Sequence, residues 1–348
     1  MLRGNVTMPL PHPIIDIVPL LKSPLSARSA LFGPKHETAF RLFNGFSEGC
    51  PDLTIDLYAR TLVLHDYSEP SGAASDRMQL VTRVQGYVYS ELPWLRAVLW
   101  KRHRSLTLTD RQGVILYGER LDRYIREHDI RYAIDLRMHG DASFYLDTRN
   151  LRGWALEHLA GKSVLNTFAY TGSLGVAAKA AGASRVVHLD LNKTFLNVAK
   201  DSYSLNGFPI RKADFQVGDF WTQTNVLKRH GERFDCVFLD PPFFSTTHGG
   251  TIDLVTQGHR VINKVRPLIN ESGYLVAINN TLFVSGAAYL HLLEGLCADG
   301  YLSIEELLPV PLDCTGYPQT IVNTPPADPS PFNHSTKIVV LRVRRKNP

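Results

Sequence analysis

Between residues 163 and 278 the chain alternates short apolar runs with longer amphipathic stretches, and this alternation restricts the fold more than any other feature of its 348 residues. Residues 163–168, 185–189, 214–217, 234–239 and 274–278 have the length and branched or aromatic content of strands. One stretch starting near Ser173 and another over 193–205 carry helical spacing. Repeated strand-helix units predict an α/β fold, a Rossmann-like and mostly parallel sheet with helices on both faces. A last strand is expected at 337–343. Upstream, 52–58 and 61–65 alternate as a hairpin does, a helical stretch follows near 74–90, and 97–101 reads as another strand. Residues 37–125 therefore read as a smaller α/β domain and 126–348 as the larger one. Residues 131–136 and 143–147 read as a hairpin leading into a helix over about 148–160. Residues 1–36, rich in Pro and Ser, read as an N-terminal arm.

No apolar run approaches the roughly 18 residues that span a bilayer, so no membrane partner is expected. Cys50, Cys236, Cys297 and Cys314 form no CxxC pair and match neither a zinc site nor a disulfide framework. A reducing, cytoplasmic location fits them. The net charge is +5. Two basic clusters, Lys101-Arg102-His103-Arg104 and Arg342, Arg344, Arg345, Lys346, are of a kind that attracts phosphate backbones, although an ordinary solvated surface also carries such groups.

In a sheet of this type, ligands sit beyond the C-terminal strand ends. The first such turn is Phe168-Ala169-Tyr170-Thr171-Gly172-Ser173, where a tight glycine turn can aim backbone N–H groups and a helix start at an anion. It is also compatible with a plain β–α turn. There is no GxGxxG, which argues against a nicotinamide dehydrogenase. Asp190, followed by Leu191, ends the second strand and is placed to grip two ribose hydroxyls or to cap a helix. Gly218-Asp219-Phe220 offers a carboxylate for an adenine amine and a ring to cover the base. Asp240-Pro241-Pro242-Phe243-Phe244-Ser245 is the most specific turn. Its prolines fix the backbone. Asp240 and the Pro241 carbonyl can then accept from a nucleobase edge, and Phe243 or Phe244 can stack on the base for ~1–3 kcal/mol. The plainer reading is a stiff loop with core aromatics.

These four turns, in this order, resemble those of class I methyltransferases. Further likeness lies in Phe40-Arg41-Leu42-Phe43-Asn44-Gly45, Leu53-Thr54-Ile55-Asp56, Phe144-Tyr145-Leu146-Asp147-Thr148-Arg149, Leu165-Asn166-Thr167 and Leu205-Asn206-Gly207. With these, the chain from about residue 37 to the end is similar to the bacterial large-subunit rRNA methyltransferase family that includes RlmI and the RlmK half of RlmKL. The resemblance implies S-adenosyl-L-methionine as cofactor and RNA as partner. It sets Tyr145, Asp147 and Arg149 against the cofactor's amino-acid end, and the turns read above supply Phe168, Tyr170, Thr171, Gly172, Ser173, Asp190, Leu191, Asp219 and Phe220 for the rest of the cofactor. Lys101, Arg102 and Arg104 would then help hold RNA.

Two departures stand out. RlmI-like members open with a PUA domain, for which 36 residues are too few. Cytosine-C5 members need a cysteine after the fifth strand, where this chain reads Ala277-Ile278-Asn279-Asn280-Thr281. Cys236 precedes Asp240 by four residues, roughly 13 Å at about 3.3 Å per residue, and Cys314 lies in a later loop. The paired asparagines resemble the RlmK half, which implies methylation of a guanine ring nitrogen, with Asn279 joining Asp240, Pro241 and Phe243 around the base. Cytosine C5, a small molecule or a protein stay open as targets, as does a non-enzymatic RNA-binding assembly role.

Overall fold

The computed structural model describes residues 16–70, 74–138, 141–325 and 328–345. Its N-terminal part is a five-stranded sheet ordered β1-β2-β3-β4-β5, namely β1 (Ala39–Asn44), β2 (Leu53–Tyr58), β3 (Thr61–Asp66), β4 (Ala97–Arg102) and β5 (Val114–Tyr117). The β3–β4 pair is parallel, because the helix Ala74–Glu91 carries the chain across between them. The expected arm differs from what is found. Residues 1–15 lie outside the described residues, and from Ile17 the chain forms a helix, α1 (Ile17–Ala27). Ile17, Leu21 and Leu25 recur at helical spacing and are buried against the sheet. Pro24 inside the helix masks that period in the sequence.

The expected hairpin also shifts. β6 (Tyr124–Glu127) pairs with β7 (Ile130–Ala133), and residues 143–147 form no strand. The cause lies at His128 and Asp129, whose φ angles of 49° and 64° make the tight two-residue turn that matches strand twist.

The larger part is a seven-stranded sheet ordered β10-β9-β8-β11-β14-β16-β15. Its strands are β8 (Ser163–Thr167), β9 (Arg185–Asp190), β10 (Phe215–Val217), β11 (Phe234–Leu239), β14 (Ile269–Asn279), β15 (Leu302–Leu308) and β16 (Lys337–Val343), with a separate hairpin of β12 (Phe244–Thr247) and β13 (Gly250–Asp253). β8, β9, β10, β11 and β14 run parallel, and β16 is antiparallel to both of its neighbours. Helices α2 (Arg149–His158), α3 (Ser173–Ala180), α4 (Lys193–Leu205) and α5 (Phe220–Arg229) connect the early strands. Two apolar cores, one on each face, bury the sheet, as a parallel sheet requires. Strand order reverses between β8 and β11, which opens a crevice at their C-terminal ends.

Asp313 fastens the two sheets together. Its carboxylate accepts from Arg149 Nη1 and Nη2 at 2.8 and 3.0 Å and from the Arg41 backbone N–H at 2.9 Å, and its carbonyl accepts from Arg28 Nη2 at 2.9 Å. Arg28, fully buried, also pairs with buried Glu48 at 3.0 Å.

Candidate active site

The turn after β8 is held in an unusual backbone shape. Phe168, Tyr170 and Gly172 have φ of 53°, 49° and 80°. A non-glycine residue there costs about 1–3 kcal/mol and needs its surroundings to enforce it. The enforcing bonds are Ala169 N–H to Leu189 carbonyl at 2.9 Å, Tyr170 N–H to Asp190 Oδ2 at 2.8 Å and Thr171 hydroxyl to Ser143 carbonyl at 2.6 Å. At Gly172 a Cβ would stand 2.5 Å from the Ala199 Cβ, so the third position accepts only glycine.

The turn forms one wall of a cavity of about 490 Å³ at the strand reversal. That volume is in the usual range for a small-molecule site. The structure brings Tyr145, Phe168, Tyr170, Asp190, Leu191, Asp219, Phe220, Asp240 and Phe243 to its lining. Phe168 and Phe220 lie with ring centroids 4.6 Å apart, Leu191 is exposed, and Phe243 is half-exposed at the rim. Asp190 is oriented by Tyr170 N–H on one oxygen and Asn192 N–H at 2.8 Å on the other. Burial still pushes its carboxyl up, with those backbone bonds opposing. Asp219 caps α5, accepting from Thr222 N–H at 2.9 Å, and also accepts from the Thr247 hydroxyl of the β12–β13 hairpin. These bonds outweigh its burial and hold its pKa low. Asp240 differs. Its Oδ1 is buried with no hydrogen-bond partner, and burial, with the Asp147 charge second, pushes its pKa up to about 7.

Other expected residues lie elsewhere. Thr171, Gly172 and Ser173 shape the turn and start α3 without lining the cavity. Arg149 is brought to Asp313, and its guanidinium is engaged there. Asp147 accepts from the Thr336 hydroxyl at 2.7 Å and faces a neighbouring pocket. Pro241 and Asn279 line a small separate pocket, with Asn279 Oδ1 turned back onto Thr281 N–H at 2.9 Å. The next residue, Asn280, lines the main cavity instead, as do Phe195 and Thr246. Asn280 could be read from the paired asparagines once strand parity is known; Phe195 and Thr246 carry no signal in the sequence.

The basic cluster needs a correction at Lys101. It is fully buried in β4, its ammonium donates to the Asp141 carbonyl, and burial pushes its pKa down to about 8. Such a group cannot meet a phosphate backbone at the surface. Arg102 lies over the Trp100 ring at 5.1 Å and pairs with Asp110, while exposed Arg104 pairs with Glu69. All four thiols, Cys50, Cys236, Cys297 and Cys314, are pushed up by burial, and none lines the cavity.

Asp190, Asp219 and Asp240 give the cavity three carboxylates, and among the described residues its lining includes no Lys, Arg or His. This donor set fits S-adenosylmethionine. It offers acceptors to a ribose and apolar faces to a base, and it favours a cationic sulfonium while providing no countercharge for the pyrophosphate of a dinucleotide. Among the described residues no helix is long and apolar enough to cross a membrane.

The profile of the S-adenosylmethionine-dependent methyltransferases matches residues 40–300. Ribosomal RNA large subunit methyltransferase I of Aeromonas salmonicida is 32% identical over 285 residues, covering 81% of this chain and 70% of that protein. Its namesake in Photobacterium profundum is 28% identical, covering 82% and 71%. Among solved structures, that of SMU.776 complexed with SAH superposes with a TM-score of 0.78 at 21% identity, covering 97% of this chain and 83% of the other. The SAM-dependent methyltransferase from Agrobacterium tumefaciens gives 0.56 at 17% identity, covering 84% and 88%. Both likenesses bear on the fold. The chain belongs to the S-adenosylmethionine-dependent methyltransferase family.

Proposed function

We propose that the protein methylates a nitrogen of a nucleobase, guanine being favoured, in ribosomal RNA. The RNA substrate rests on the relatives, which are named as ribosomal RNA large subunit methyltransferases. The bound cofactor supplies an electrophilic methyl group, and the protein's contribution is alignment and exclusion of water. Asp190 holds the ribose hydroxyls. Leu191, Phe168 and Phe220 enclose the adenine, with Asp219 at its edge. Tyr145 and Tyr170 close the side towards β11. Phe243 stacks against the target nucleotide at the rim, and Asp240, buried with Oδ1 unpartnered, offers that nucleotide an acceptor beside the transfer site. Asn280 takes the place that the sequence assigned to Asn279. Residues 37–125 contribute to RNA holding through Arg102 and Arg104, and residues 126–348 carry the transfer.

The observation that carries nitrogen over cytosine C5 is the state of the thiols. Attack from C5 needs a thiolate at the active end of the sheet, and every cysteine here is buried or raised and stands off the cavity. A nitrogen lone pair needs no covalent helper. Mass spectrometry of rRNA nucleosides from cells with and without the gene tests this. A methylguanosine that disappears with the gene is expected; loss of 5-methylcytidine instead refutes the nitrogen assignment, and no change refutes the rRNA substrate. RNA affinity should fall steeply with salt, and Arg102→Ala with Arg104→Ala should lower that slope by about 2.

A further inference from the structure

A second cavity, of about 200 Å³, lies in the seam between the two sheets and shares Tyr145 with the cofactor cavity. Arg41, Tyr67 and His103 wall it from the five-stranded side, and Tyr145, Asp147 and His334 from the other. A third hollow of about 320 Å³ adjoins it through Arg41 and His334. The three form a series that starts at the cofactor cavity and crosses the seam.

The middle cavity presents a fixed set of polar groups. His334 Nδ1 accepts from the Thr336 backbone N–H at 3.0 Å. Burial pushes the imidazole pKa down to about 4, so the ring is neutral at pH 7 and its proton sits on Nε2. Beside it, Asp147 Oδ2 accepts from the Thr336 hydroxyl, and Oδ1 has no hydrogen-bond partner among the described residues. One threonine thus holds a donor and an acceptor in place together. Tyr67 and His103 stack with ring centroids 4.4 Å apart and planes 11° apart, giving the cavity a flat aromatic wall.

We propose that this seam cavity receives the target base and reads the Watson–Crick edge of guanine through Asp147 and His334. The proposal rests on the RNA reading above and names the base-selecting residues for it. Guanine alone among the four bases presents two adjacent N–H donors, one on the ring and one exocyclic, next to a carbonyl. A carboxylate takes the two donors and the His334 Nε2–H takes the carbonyl. Cytosine and adenine would set a ring acceptor against the Asp147 carboxylate, and uracil offers one donor. The assignment moves Asp147 from the cofactor's amino-acid end to the substrate.

The test uses the full chain saturated with S-adenosylhomocysteine. It is titrated with guanosine monophosphate and with inosine monophosphate, which lacks only the exocyclic amine, while the His334 side-chain resonance is followed in nitrogen-15-labelled protein and identified with His334→Gln. Guanosine monophosphate should move that resonance and bind about tenfold more tightly than the inosine form, and Asp147→Asn should erase the difference. Equal affinities in the unmutated protein overturn the proposal without recourse to any variant, as does a His334 resonance that stays still. A folded Asp147→Asn protein that binds S-adenosylhomocysteine tenfold more weakly also overturns it, by returning Asp147 to the cofactor. Failure of the methyltransferase reading would show separately, as no S-adenosylhomocysteine binding to the unmutated chain.

Discussion

Asp190→Ala is the sharpest single perturbation of the proposed cofactor site. Both carboxylate oxygens are already aimed, one by Tyr170 N–H and one by Asn192 N–H, each at 2.8 Å. The lone pairs left over can serve the two ribose hydroxyls without further ordering. A hydrogen bond to a charged acceptor contributes ~1.5–3 kcal/mol net, and ~1.4 kcal/mol is tenfold in affinity. Loss of one such bond should weaken binding roughly 10- to 100-fold, and loss of the carboxylate, which serves two hydroxyls, by at least that much. A second effect acts in the same direction, since the Tyr170 N–H loses the acceptor that helps hold its positive φ. Asp190→Asn should approach the alanine value, because an amide nitrogen would then face a backbone N–H. Calorimetry with S-adenosylhomocysteine at pH 8 measures the effect with Asp190 ionised, and a melting curve confirms folding. An unchanged dissociation constant in a folded variant refutes the assignment.

Three further outcomes follow from the same geometry. Asp240 has a folded-state pKa of about 7, above that of an unfolded carboxyl, so its favourable contribution is complete below about pH 4 and is lost as pH rises through 7. Asp240→Asn should match the cofactor-free unmutated protein in stability near pH 4 and exceed it at pH 8, by a few kcal/mol at most; parallel melting profiles across that window would refute the shift. Gly175→Ala would put a Cβ 2.3 Å from the ring of His188, which is fully buried and stacked on Phe215, and should destabilise by about 1–3 kcal/mol in thermal melts unless the ring can move. Arg28→Ala leaves Glu48 buried without its cation and should cost about 3–5 kcal/mol in urea denaturation; a smaller loss would mean that water reaches Glu48.

The parallel strands were legible in the sequence because a strand buried on both faces is apolar along its length, and β11 has the expected bounds. So was the placement of the turn carboxylates, since Asp190 and Asp240 stand where strand ends put them. What the sequence concealed is parity and distance. At the end of β14 one of two adjacent asparagines must face the cavity, and the choice depends on register with β16, where Asn279 pairs with Lys337. Lys101 alternates properly along β4, but alternation cannot reveal that both faces of its sheet are covered. Arg149 looks available for a ligand carboxylate until Asp313, 164 residues away, arrives at its guanidinium.

Asp313 also bears on how the seam breathes. Its 2.9 Å bond from the Arg41 amide sits at the edge of the hollow where the two sheets meet, and the same residue engages Arg28 and Arg149. Opening the seam locally would strip a carboxylate that is almost fully buried of a guanidinium fork and a backbone donor at once. Partial separation therefore carries a cost of about 3–5 kcal/mol at this one residue. Hydrogen exchange at the Arg41 amide should proceed through the global transition, as slowly as at amides in the middle of β8 and β11.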